Sequence, residues 1–110
     1  MLRIIVCTLT VMLALETTSP AIAGDPAAGR KIVGRCTACH GQDGIGRMPD
    51  VPNLAGESTI YLTQELNAYR SGQRDHPQMS IIAKGLSDTQ IADLAAWYAA
   101  LKVTVELPDL

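Results

Sequence analysis

Cys36-Thr37-Ala38-Cys39-His40 reads C-x-x-C-H, the attachment pattern of a c-type haem. Two thiols three residues apart fall on one side of a single helical turn. Both can then add as thioethers across the vinyl groups of one porphyrin edge. His40 follows Cys36 by four residues and shares that face, so its imidazole lies over the iron. Three ligating side chains at fixed offsets make a specific signal. A zinc site would need a second pair of ligands, and no further cysteine pair or H-x-x-x-H follows. A dithiol redox pair belongs in a strand–helix–strand setting, which the flanking sequence lacks. A plain disulfide is the remaining simple alternative.

The N-terminus reads as an address. Met1-Leu2-Arg3 is a short positive start, residues 4–15 are apolar, and Ala21-Ile22-Ala23 is an A-x-A cleavage signal. The expectation is a cleavable signal peptide over 1–23 and one domain over 24–110. The apolar run is short for a membrane span, and an uncleaved anchor is the alternative. Cys7 leaves with the leader, so Cys36 and Cys39 are the only thiols of the exported domain. That fits haem attachment in the periplasm, with no stable membrane association after cleavage.

A domain of this size buries a modest fraction of its surface and commonly needs a staple. It has no Phe, and its aromatics are Trp97, Tyr61, Tyr69 and Tyr98. A covalent haem would supply the missing apolar volume, so the haem-free chain should fold poorly. The net charge is −2 with no basic run, which excludes nucleic acid and anionic membrane surfaces as partners.

Helix signals account for most of the rest. Asp25-Pro26 reads as an N-cap with Pro at the first helical position, opening a helix over 27–35 with Gly29 and Gly34 as weak points. Residues 41–57 form a long loop rich in Gly, Pro, Asp and Asn, and loops of that length are usually functional. Ser58 caps a helix over 59–70, with Leu62, Leu66 and Tyr69 as its apolar face and Gly72 as its end. After a polar loop with Pro77, a short turn runs over 80–84. In the last helix Ser87 and Gln90 form a capping box, and Leu86 with Ile91 a staple. Ile91, Leu94, Ala95, Tyr98 and Leu101 make one apolar stripe. Strand signals are lacking, so the class is all-α. The role of the 103–110 tail is not readable.

A haem iron with one protein ligand is open for chemistry, and one with two is suited to electron transfer. Candidates for the second ligand are Met79, Met48 and His76. Met79 lies thirty-nine residues after His40, far enough for the chain to wrap round and approach the other face. Met48 is eight residues on, which is short for that journey. His76 precedes Pro77, which biases its backbone towards extended geometry. Met79 is favoured, since a gap-filling core methionine would sit within a helical stripe. The Pro52 carbonyl is placed to accept from the Nδ1–H of His40. Arg70, Arg74, Tyr61 and Tyr69 are candidates for the haem propionates.

With these residues located, the domain resembles class I cytochromes c, and most closely the small bacterial periplasmic cytochrome c4/c553 type. The likeness is carried by Cys36-Thr37-Ala38-Cys39-His40-Gly41, Pro52-Asn53-Leu54-Ala55-Gly56, Ala68-Tyr69-Arg70-Ser71-Gly72, and Gly85-Leu86-Ser87-Asp88 leading into Leu94-Ala95-Ala96-Trp97-Tyr98. It implies a small cytochrome c fold, with three to five helices wrapped around one haem. It implies His40/Met79 axial ligation and thioethers from Cys36 and Cys39. It also implies that Gly29 and Val33 on the first helix cross Leu94 and Trp97 on the last. Val33 stands where an aromatic is often found.

The function expected is that of a periplasmic monohaem electron carrier, not an enzyme, whose iron cycles between Fe(II) and Fe(III). Its partners would be periplasmic redox proteins docked transiently. One alternative is the haem subunit of a periplasmic dehydrogenase, of the kind that serves sulfide dehydrogenases. The other is a peroxidase or ligand-binding haem, for which only His76 offers a distal acid–base group.

Overall fold

Asp25 does what its place before a proline suggests. In the computed structural model, which describes residues 21–110, its carboxylate accepts the Ala27 N–H at 2.8 Å and opens α1, Pro26–Ile32. Four further helices follow: α2 Gly34–His40, α3 Thr59–Ser71, α4 Met79–Lys84 and α5 Asp88–Ala100. The described residues are helix, turn and loop throughout. The leader expected over 1–23 lies outside them up to residue 20.

The single helix expected over 27–35 is two. The ladder tightens at Val33, whose carbonyl accepts the Cys36 N–H at 2.8 Å, a bond spanning three residues rather than four. Gly34 stands at that junction and disfavours a continuous helix. The second piece, α2, therefore carries the whole C-x-x-C-H pentapeptide. The helix over 59–70 runs one residue further than expected, to Ser71, with Gly72 as its C-cap, and the turn over 80–84 begins one residue earlier, at Met79.

α1 crosses α5 at Gly29. A Cβ at that glycine would stand 2.1 Å from the Asp93 carbonyl oxygen and 2.9 Å from the Trp97 Cβ. The residue is glycine because two helix backbones meet there. Asp93 also accepts the Asp25 N–H at 2.8 Å, tying the start of α1 to the same face. Val33, fully buried beyond the crossing, joins Leu62, Leu86, Ile91, Leu94, Ala95 and Tyr98 in the core.

α5 is built as its sequence reads. Ser87 and Gln90 form both bonds of the capping box, and the stapling residues Leu86 and Ile91 are buried. Its apolar stripe faces inward, with Leu101 at its partly buried end. α3 packs on α5 and α4, burying Leu62 and Tyr69. The core is small and aliphatic, and its inner side faces a cavity.

Candidate functional site

The cavity holds about 320 Å³ and is lined by α2, the 41–57 loop, α3, α4 and α5, a size in the ordinary range for cofactor pockets. Cys36, Cys39 and His40 enter from α2, Met79 from the first position of α4. Leu54, Leu62, Ile82 and Leu94 supply apolar wall. Two unpaired thiols, an imidazole and a thioether thus share one apolar chamber. That donor set fits a covalently held haem with nitrogen and sulfur ligands.

The two histidines of the wall are held in opposite ways. His40 Nδ1 lies 2.9 Å from the Pro52 carbonyl oxygen, and a carbonyl only accepts. The proton is therefore on Nδ1, and Nε2 keeps its lone pair for a metal. His76 Nδ1 instead faces two backbone donors, the N–H of Gln78 at 3.2 Å and of Met79 at 3.3 Å. It must accept, which puts the ring proton on Nε2 and leaves no lone pair there for iron. The sequence suggests a solvated loop histidine at 76. Its ring is exposed, yet it serves as the acceptor for the start of α4.

The segment after His40 is latched to α5. Gly41 takes φ +72°, and a Cβ there would stand 2.3 Å from an Asp43 carboxylate oxygen. Tyr98, which is buried, donates its hydroxyl to the Gly41 carbonyl at 2.9 Å. Trp97 Nε1–H donates to the Gln42 carbonyl at 3.1 Å. The loop is also tied to itself. Arg47 N–H bonds the Cys39 carbonyl at 2.8 Å, and Gly46 N–H bonds Asn53 Oδ1 at 2.7 Å. Burial pushes the Cys36 thiol up from the usual range, against the weaker pull of a hydrogen bond with Tyr98 and of the Arg35 charge. Burial likewise raises the Tyr98 phenol beyond any physiological pH, so it stays a donor.

Other expected residues separate. Tyr69 lines the cavity; Arg70 does not. The Arg70 guanidinium is taken by the Leu86 carbonyl at 3.1 Å, by Asn67 Oδ1 at 2.7 Å and by the Asp88 carboxylate, so it braces α3 against the start of α5. The arginines in the wall are Arg74 and Arg35. Arg74 lies over the Tyr69 ring at 4.6 Å and pairs with Glu65. Met48 is exposed and outside the wall. Tyr98, Trp97 and Arg35 are site residues that sequence reasoning missed.

Residues 26–102 match the family model described as cytochrome c. The chain is 51% identical over 81 residues to cytochrome c-554(548) of Halomonas halodenitrificans, covering 71% of this chain and 98% of that one. The crystal structure of reduced recombinant cytochrome c4 from Pseudomonas stutzeri superposes with a TM-score of 0.71 at 34% identity, over 79% of this chain and 50% of that one. A thiosulfate dehydrogenase electron acceptor of Stutzerimonas stutzeri is 37% identical over 75 residues, 66% of this chain and 35% of that one. The chain spans about half the length of the cytochrome c4 relatives it matches.

Proposed function

The chain belongs to the cytochrome c family, and we propose that it is a periplasmic monohaem electron carrier with His40 and Met79 as its iron ligands. Haem c, when bound, supplies a one-electron ferrous/ferric couple. Cys36 and Cys39 are the thiols for its two thioethers, and a single C-x-x-C-H means one haem. His40 offers Nε2, with its ring angle and basicity set by Pro52. Met79 offers a thioether sulfur, which favours the ferrous state and raises the potential. Leu54, Leu62, Ile82 and Leu94 exclude water around them. The cationic Arg74 and Arg35, with Tyr61 and Tyr69, are the wall residues suited to propionates.

The observation that carries this reading is the contact of His40 Nδ1 with the Pro52 carbonyl at 2.9 Å, which favours the tautomer with a free Nε2. His76 Nδ1 instead accepts from the Gln78 and Met79 N–H groups, which favours Met79 over His76 as the second ligand. Met79→Ala in the haem-loaded protein should lower the potential and open the ferrous iron to carbon monoxide. An unchanged spectrum and potential would remove Met79 as ligand. His76→Ala should leave the low-spin spectrum intact, and loss of that spectrum would restore a bis-histidine site.

Export rests on the leader, with cleavage between Ala23 and Gly24. At Gly24 the chain lies against α5: a Cβ there would stand 1.9 Å from the Ala92 carbonyl oxygen. No helix of the described residues is long and apolar enough to cross a membrane. A second reading, the haem subunit of a periplasmic dehydrogenase, draws on the similarity to thiosulfate dehydrogenase electron acceptors. Size-exclusion chromatography of periplasmic extract separates the two, because a free carrier elutes near its own mass.

A further inference from the structure

Met79 occupies the first position of a six-residue helix, and Gln78 before it gives no side-chain cap. The first N–H groups of such a helix need acceptors from elsewhere. His76 supplies them: its ring nitrogen accepts from Met79, and its carbonyl accepts the Ser80 N–H at 3.0 Å. The Ser80 hydroxyl works in the other direction. It is buried, accepts the His76 N–H at 3.0 Å and donates to the Asp75 carboxylate at 3.0 Å. Residues 75–80 are thereby closed into a ring of hydrogen bonds. Met79 lies within that segment and lines the cavity.

A methionine side chain has three rotatable bonds and no directional contact of its own before it meets a metal. The region its sulfur can reach is bounded by the direction of its Cα–Cβ bond, hence by the backbone of residues 78–80. Partners beyond the ligands commonly set such orientation in metal sites. Asp75 is exposed, so its carboxylate would be hydrated without Ser80. The Ser80 hydroxyl and the His76 N–H are held within this segment.

We propose that Ser80, braced by the Asp75 carboxylate, is the positioning residue for the Met79 thioether. This rests on the reading of Met79 as an iron ligand. Breaking the brace leaves the thioether in place but lets α4 start in more than one way. The ligand is then off the iron for a larger fraction of the time.

The test uses haem-loaded Ser80→Ala, Asp75→Ala and Asp75→Asn, with Met79→Ala as the reference. The readouts are the sulfur–iron absorption band of the oxidised protein, the rate of carbon monoxide binding to the reduced protein, and the potential. Ser80→Ala and Asp75→Ala should weaken the band, lower the potential and speed carbon monoxide binding about tenfold, the lower end of what one lost hydrogen bond to a charged group is worth, since Asp75 is exposed. Asp75→Asn keeps an acceptor oxygen and should recover most of the wild-type rate. Wild-type values in Ser80→Ala, with the band abolished in Met79→Ala, would overturn the proposal while leaving the ligand assignment standing. A band that survives Met79→Ala would overturn the assignment and the proposal with it. If Ser80→Ala does not accumulate with haem, the two substitutions at exposed Asp75 make the same comparison.

Discussion

The cavity has two sides, and they are held by different means. On the His40 side, bonds reach across the chain. Tyr98 and Trp97 of α5 grip the carbonyls of Gly41 and Gln42, fifty-seven and fifty-five residues away. Gly56 N–H bonds the Tyr98 carbonyl at 2.9 Å, closing the far end of the same loop on α5. On the Met79 side, the bonds of residues 75–80 close on themselves. Longer ties come at the far end of α4, where Arg35 and Arg70 hold the carbonyls of Gly85 and Leu86. Opening the His40 side therefore requires disrupting the α5 core, whereas the Met79 segment can open as a local unit at lower free energy. On the proposed ligation, the His40 side is the firmly held one and the Met79 side the exchangeable one.

The largest effect expected removes what both sides share. Without thioethers the chamber keeps its apolar walls but loses its filling, and the core has no Phe to compensate. A haem-free Cys36→Ala/Cys39→Ala chain should show little of the native helical circular dichroism at 25 °C. Near-native ellipticity would show that α1, α3 and α5 suffice alone and that the two sides are independent of the cofactor.

Next in size is the crossing beneath the His40 side. Gly29→Ala puts a methyl 2.1 Å from the Asp93 carbonyl oxygen, so α1 and α5 must separate. A cost of about 3 kcal/mol, the upper range for overpacking, should appear as a lowered midpoint in urea denaturation of the haem-loaded protein. The urea concentration at which the sulfur–iron band fades, ahead of the helices, should match that of the wild type, because Gly29 meets Asp93 and Trp97 of α5 and not residues 75–80. A band that fades earlier in Gly29→Ala than in the wild type would contradict the division into two sides.

Much of this was legible because its causes are local. Asp25, Ser58 and Ser87 announce helix starts by caps that act over two or three residues. C-x-x-C-H gives three cavity residues at once. The bond from His40 to Pro52 was foreseeable because both lie at the ends of one short excursion of chain. What escaped is non-local or competitive. No periodicity reveals that Tyr98, read as part of the apolar stripe, and Trp97, placed at the helix crossing by the resemblance, use their polar atoms to hold a loop more than fifty residues earlier. Arg70 was the arginine expected at the cavity, with Arg74 a further candidate. Only the folded chain brings Asp88 and Leu86 to Arg70 and leaves Arg74 on the wall. The break at Val33 escaped because both pieces have helical sequence, and Gly34 weakens a helix without dictating where it ends.

The smallest effect isolates the latch on the His40 side. Tyr98→Phe keeps the ring in the core but leaves the buried Gly41 carbonyl only the longer bond from the Gly44 N–H at 3.3 Å, a loss of about 1 kcal/mol. The same substitution changes the pH dependence. Burial raises the folded phenol above its ordinary 10.0, so near and above that pH the unfolded chain releases a proton that the folded chain retains. The folded state then binds more protons, and stability falls as pH rises. The contribution is complete below pH 10 and disappears as the folded phenol itself ionises. Wild-type stability should decline more steeply than that of Tyr98→Phe between neutral pH and pH 11. Parallel stability curves would mean that the hydroxyl ionises in place, and the latch on Gly41 would then be no stronger than the local bonds around Met79.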